Sequence, residues 1–139
     1  MPSIRYQRLA SELLPLANKF YKSQRSPMRV GRSEQVWVAQ QAEIIAACCL
    51  KPVADGHWLT ALLVAREQRQ QGIASQLLNE LRAHSQGPIW LFCAPELLSF
   101  YQCLGFAPCP ALPAELTERL LRYQRKQPLL ALAAPPQCG

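Results

Sequence analysis

The sequence predicts a mixed sheet, α/β or α+β, with helices packed on its faces. Two observations carry this. Three β-rich runs follow one another between residues 35 and 65 with only short polar turns between them, as in an antiparallel meander. From there to residue 133 the pattern alternates between helix-like and strand-like segments. The 139-residue chain is half hydrophobic and 17% charged, which suits one domain with a sizeable core rather than a disordered chain. We take residues 1–133 as that single domain and residues 134–139, "APPQCG", as a disordered tail.

The elements follow in order. "SIRYQRL" alternates and gives a first strand over residues 4–8. "SELLPLANKFYKS" reads as a helix with Ser11 as its N-cap and Pro15 in its first turns. "SQRSPMRVGRSE" is polar, basic and turn-rich, hence a loop. "QVWVAQ" and "EIIAACCLK" form a hairpin, "PVADG" turns the chain again, and "HWLTALLVA" is a third strand, apolar enough for the middle of a sheet. After the polar stretch "REQRQQG", Ile73, Leu77, Leu78 and Leu81 recur at helical spacing while Asn79, Glu80 and Arg82 face away. "IWLFCA" is a short buried strand, and "PELLSFYQCLG" a short helix with Pro95 in its first turn and Gly105 at its end. "FAPCPALP" is extended. Residues 114–126 form a helix inserted before the last strand, "PLLALA", with Leu116, Leu120, Leu121 and Tyr123 as its apolar side.

Composition narrows the functions. No apolar run approaches the roughly 20 residues that span a bilayer. The start "MPSIRYQRLASELL" lacks a signal-peptide pattern, so the expected location is cytoplasmic, without a membrane partner. The six cysteines (48, 49, 93, 103, 109, 138) contain no C-x-x-C pair and there are two histidines, so no metal is expected. Buried thiols in a reducing compartment are the simpler reading, with Cys138 the one exposed thiol. A net charge of +6 admits nucleic acid, an anionic cofactor or acidic substrates. No basic motif interleaved with aromatics supports nucleic acid.

The polar stretch between the third strand and the next helix concentrates the chemistry. A strand that turns into a helix at a glycine presents unpaired N–H groups at the positive end of the helix dipole, a site for phosphate oxygens. Gly72 and the small Ala74 let a ligand approach the backbone, and Arg66 and Arg69 add charge. Such turns are common and most bind nothing. This one is neither a P-loop, since no Gly-Lys-Ser/Thr follows, nor a dinucleotide fingerprint, since it has a single glycine.

"LLVAREQRQQGIASQLLNEL" resembles the acetyl-coenzyme A loop of the GNAT superfamily of N-acetyltransferases, whose Arg/Gln-x-x-Gly-x-Gly/Ala pattern is met by Arg69-Gln70-Gln71-Gly72-Ile73-Ala74. "FYQCLGF", residues 100–106, is similar to that family's "FYEKLGF" segment. The resemblance covers residues 35–107. It implies a GNAT-like fold, a central, mostly antiparallel twisted sheet of about 6–7 strands flanked by about 4–5 helices. It implies acetyl-CoA as co-substrate and an N-acetyltransferase that moves the acetyl group to a primary amine of a small molecule or peptide by direct attack.

By resemblance, the backbone of Leu62, Leu63 and Val64 would pair with the pantetheine arm, and one of their N–H groups would polarise the thioester carbonyl. Backbone N–H groups of Arg69, Gln70, Gln71, Gly72, Ile73, Ala74 and Ser75 would hold the pyrophosphate. Tyr101 would be the catalytic acid that protonates the leaving thiolate; its structural alternative is a core aromatic. The chain departs from the family where many members carry an asparagine seven residues before that tyrosine, for Ala94 stands here. It also has no carboxylate between residues 58 and 64 to act as base, which leaves Glu43, Asp55 and His57 as candidates elsewhere. A non-catalytic acetyl-CoA sensor of the same fold is the competing reading. The arginines of the loop over residues 22–33 suggest an anionic group on the acceptor, and a homodimer stays open.

Overall fold

A computed structural model describes residues 3–31, 34–109 and 111–135. Seven strands form one sheet: β1 (Arg5–Arg8), β2 (Gln35–Gln40), β3 (Ile44–Val53), β4 (Gly56–Val64), β5 (Ile89–Cys93), β6 (Ala107–Pro108) and β7 (Leu130–Ala134). Their spatial order is β1-β2-β3-β4-β5-β7-β6. Four α-helices accompany it: α1 (Leu14–Ser23), α2 (Ile73–His84), α3 (Leu98–Gln102) and α4 (Ala114–Gln124). Every adjacent pair is antiparallel except β4 and β5, which are parallel and joined by the crossover through α2. None of the helices is long and apolar enough to cross a membrane.

The buried hydrophobic residues form two clusters. The larger joins α1 and α2 to the sheet through Phe20, Tyr21, Leu77, Leu78 and Leu81, with Cys48, Cys49 and Leu50 beneath them. The smaller, Val53, Trp58, Trp90 and Leu116, lies under α4. The spacing expected for α2 is the one that is buried, Ile73, Leu77, Leu78 and Leu81.

Several expectations change. Ser11 does not cap α1: residues Ser11–Leu13 form a separate 3-10 turn, and the helix starts at Leu14 with no side-chain cap. Pro15 in the first turn takes over part of the cap's work, because its fixed φ and missing N–H suit a position whose N–H would be orphaned. α4 lies between β6 and β7, but only Leu116 is buried along it; Leu121 and Tyr123 are exposed. The domain limit at 133 falls inside β7, where Ala134 pairs with Ile89 and is buried. Cys103, expected to be buried, is exposed. Arg32 in the loop before β2 and the tail residues 136–139, Cys138 among them, lie outside the described residues.

Candidate active site

β4 determines the site. In its first half it pairs with β5 through His57–Ile89, Trp58–Trp90 and Leu59–Leu91. There the pairing ends, while β3 keeps pairing with β4 as far as Ala46–Val64. The cause is a bulge. The β3–β4 register slips between Ala47 and Cys49, opposite Ala61, whose φ of 57° is left-handed. A residue with a Cβ loses about 1–2 kcal/mol in that conformation, so something must hold it. Tyr21, from α1, does so: its hydroxyl donates a 2.8 Å hydrogen bond to the Ala61 carbonyl. Tyr21 is fully buried and burial, followed by neighbouring Cys49 and Cys48, raises its hydroxyl far above the ordinary range, so it remains a donor.

Beyond the bulge β4 no longer pairs with β5, and a groove of about 520 Å³ opens along the end of β4. Leu62, Leu63 and Val64 form one wall, and Arg69, Gln70, Gly72, Ile73, Ala74 and Ser75 its floor at the start of α2. Tyr101 faces them. Of the residues expected from sequence, Gln71 does not line the groove. Arg66 is also absent from it and lines a separate small hollow with Ser23, Gln24, Arg25 and Glu67. Arg69 lies along the strand end, its Nε donating to the Val64 carbonyl at 3.2 Å. Gln68, Leu97 and Phe100 were missed. Leu97 and Phe100 are 46% and 38% exposed, an apolar rim without a cover.

The loop's backbone suits an anion. Gln70 (φ 65°) and Gly72 (φ 76°) are both left-handed and flank Gln71 where the orphan donors of α2 begin, and left-handed residues of this kind are what anion-binding backbone nests are built from. The space where a Gly72 Cβ would point is empty to 4 Å, so a ligand meets bare backbone there.

Tyr101 is placed by the end of α3. The Gly105 N–H bonds to Gln102 O at 3.1 Å and the Phe106 N–H to Tyr101 O at 3.1 Å, the paired bonds of a Schellman ending. Gly105, at φ 92°, supplies the left-handed residue this ending requires. Phe106 closes it by packing on the Tyr101 ring at 5.9 Å between centroids. Arg82 of α2 clamps the turn: its guanidinium donates to Leu104 O at 2.7 Å and Pro135 O at 3.3 Å and lies 5.7 Å from the Phe106 ring. Tyr101 is 8% exposed, and burial, with Cys93 and Cys48 adding, pushes its hydroxyl up to about 12. It holds its proton at neutral pH.

On the other face, the first half of β4 floors a cavity of about 630 Å³ that includes Trp58, Thr60 and Ala61 and is closed by α4, β5 and the loop before β2. The bulge residue thus stands between two hollows, this one and the groove that begins at Leu62. Glu34 enters the cavity from the loop. It accepts from the Gly31 N–H, and the Thr60 hydroxyl donates to it at 3.5 Å. None of the bases considered from sequence is here. Glu43 and Asp55 sit exposed in hairpin turns, and His57 lines a hollow on the α2 face with Trp37 and His84. Glu34 carried no sequence signal beyond being the last residue of a polar loop. Among the described residues no group of three or more His, Cys, Asp or Glu is arranged to hold a metal.

The comparisons agree with this architecture. The family model of the acetyltransferase (GNAT) domain matches residues 32–108, more than half of the chain and all of the groove-forming loop. The chain belongs to the GNAT acetyltransferase family, and it is an acetyltransferase. No curated protein matches it by sequence. A GNAT-family acetyltransferase of Staphylococcus aureus Mu50 has a similar structure, with a TM-score of 0.67 at 14% identity over 97% of this chain and 100% of that one. The ribosomal-protein-S18-alanine N-acetyltransferase of Escherichia coli gives 0.65 at 17% identity over 99% and 96%. The N-acetylglutamate synthase of Neisseria gonorrhoeae, in complex with coenzyme A and N-acetyl-glutamate, gives 0.67 at 15% identity over 99% of this chain and 36% of that one.

Proposed function

We propose that the protein transfers the acetyl group of acetyl-CoA to a primary amine by direct attack, with the thioester at the β4 bulge between the two hollows. The observation that carries this reading is the end of the β4–β5 pairing, which leaves an unpaired strand edge beside an anion-favouring helix start and a buried, protonated tyrosine.

In this reading Leu62, Leu63 and Val64 offer backbone groups to the amide-containing arm of the co-substrate, as a neighbouring strand would. The N–H groups from Arg69 to Ser75 hold its pyrophosphate. A β4 N–H next to the bulge donates to the thioester oxygen, where negative charge grows as the amine attacks. The fixed direction of that donor is what makes it effective. Tyr101 donates to the sulfur. A thiol of ordinary pKa, about 8.5 by comparison with cysteine, is a better acid than a phenol at about 12, so the hydroxyl chiefly stabilises the departing sulfur by hydrogen bonding. Glu34 receives the amine in the second cavity and takes its surplus proton.

The test pairs two measurements. Titration calorimetry with coenzyme A reads the groove, and a panel of amines with acetyl-CoA, followed by thiol release, reads the transfer. Saturable binding with amine-dependent thiol release is expected. Binding without release from any amine would leave a sensor and overturn the reading.

A further inference from the structure

We propose that the acceptor is a small amino carboxylate: a primary amine that also bears a carboxylate, the two joined by an apolar or aromatic body. This rests on the reading of the 630 Å³ cavity as the acceptor site, and that volume holds one small molecule. The cavity wall is divided by charge. Glu34 stands at Thr60, next to the bulge. Lys51 and Arg119 gather around Trp58, two residues back along β4: Lys51 is the cross-strand partner of Trp58, and the Arg119 guanidinium lies 4.7 Å over its ring. Residues two apart on a strand share a face and are about 7 Å apart. The carboxylate and the cations are therefore separated by the span of a short amino acid, the carboxylate nearer the thioester.

Among the described residues the two cations have one loose carboxylate between them. Lys51 Nζ and Arg119 share one Glu115 oxygen at 3.9 and 4.0 Å, beyond hydrogen-bond distance, so one carboxylate faces two positive charges loosely. Arg119 Nε and Trp58 Nε1 in the same wall are buried donors with no acceptor among the described residues. Stacking on the indole holds the guanidinium plane, which readies its fork for a bidentate carboxylate. Arg29 of the loop also lines the cavity, but it already donates to Ser26 O at 2.9 Å and Met28 O at 2.6 Å. The anion is thus recognised by β3 and α4 rather than by Arg29 of the loop. Between the charged groups Trp58, Phe92 and Tyr123 make an aromatic wall, with ring centroids 5.4 and 6.2 Å apart.

The experiment uses four amino acids of different reach: phenylalanine, β-phenylalanine, para-(aminomethyl)benzoate and δ-aminovalerate. Each is compared with its carboxamide by calorimetric binding and, with acetyl-CoA, by thiol release. At least one acid should bind tenfold or more tightly than its amide. Lys51→Met and Arg119→Met should each cut that preference at least threefold with coenzyme A affinity unchanged, and Arg119→Lys should restore part of it. Acids that bind no better than their amides overturn the proposal, as does a preference that survives both Met variants. If the preference holds but no thiol is released, the anion site stands and the transferase reading falls. If amines without a carboxylate are acetylated and no acid is preferred, the transferase reading stands and this proposal falls.

Discussion

Tyr101 and Tyr21 do different work with the same hydroxyl. Tyr101→Phe keeps the ring between Phe100 and Phe106, so coenzyme A affinity should hold while kcat falls by at most about 10²–10⁴-fold. Rate measurements on the folded variant decide it: a wild-type rate would make Tyr101 a core aromatic only. Tyr21→Phe touches no ligand. It leaves the Ala61 carbonyl without its donor, which should lower stability by about 1–3 kcal/mol and lower kcat more than it raises KM for acetyl-CoA. Denaturant melts and steady-state kinetics on one preparation read both; loss of stability with unchanged kcat would show that the bulge holds without the tyrosine. The sequence pointed to Tyr101 through the resemblance of "FYQCLGF" to a family segment, and the structure shows that segment's glycine and second phenylalanine completing a Schellman ending. Tyr21, Glu34 and Ala61 gave no such notice. An alanine with left-handed φ looks like any other alanine in an apolar run, and contacts between residues 21 and 61 follow from packing, not from local pattern.

At the scale of elements, the loop before α2 floors the groove and α3, held by the turn that ends it, supplies Tyr101. Gly72→Asp would place a charged side chain in the space open above the backbone and force an unfavourable φ on it. Coenzyme A affinity should fall beyond detection, about a hundredfold or more, and calorimetry showing the wild-type affinity would remove the pyrophosphate assignment. Arg82→Met should free the end of α3 from α2 and raise KM for acetyl-CoA several-fold while α2 itself stays folded, which circular dichroism can check. The elements were readable because their hydrophobic periods were clean, most of all in α2. α4 was readable as a helix but not in its buried face. Leu116 is its one buried residue, while Arg119 and Tyr123 reach Trp58 and Phe92 from partly exposed positions and Leu121 stays in solvent. Nor did the sequence show that Arg82 reaches across to another helix, since an arginine on the polar side of a helix usually faces water.

For the molecule as a whole, the buried hydroxyls and thiols tie stability to pH in one direction. Burial raises Cys49 from 9.0 to about 11, with Glu34 adding, and Tyr101 from 10.0 to about 12; Cys48 and Tyr21 move the same way. Each folded pKa lies above its unfolded value, so the folded state binds these protons more tightly. The contribution is complete below about pH 9 and is lost as the pH climbs through about 12, by roughly 3 kcal/mol for a two-unit shift. Melting temperatures should be flat near neutrality and fall steeply above about pH 9; an equal fall on the acid side alone would contradict it. The order of strands was legible only in its first half. The meander shows itself through short turns, whereas β7 enters between β5 and β6 from the far end of the chain, a pairing no local signal specifies.

The seam where β4 leaves β5 has one more consequence. Three residue pairs hold a four-stranded part to a three-stranded part, and past them the sheet has an edge in its interior. Amides on that edge should exchange with solvent within the native state, before global unfolding, and stop exchanging when coenzyme A fills the gap. A ligand that completes the sheet also adds to its stability, about 2.7 kcal/mol at a hundred times its Kd. Proteolytic lifetime should then track supply: with acetyl-coenzyme A present a protease is expected to clear the protein more slowly than without it, and equal lifetimes would contradict a groove that the co-substrate completes.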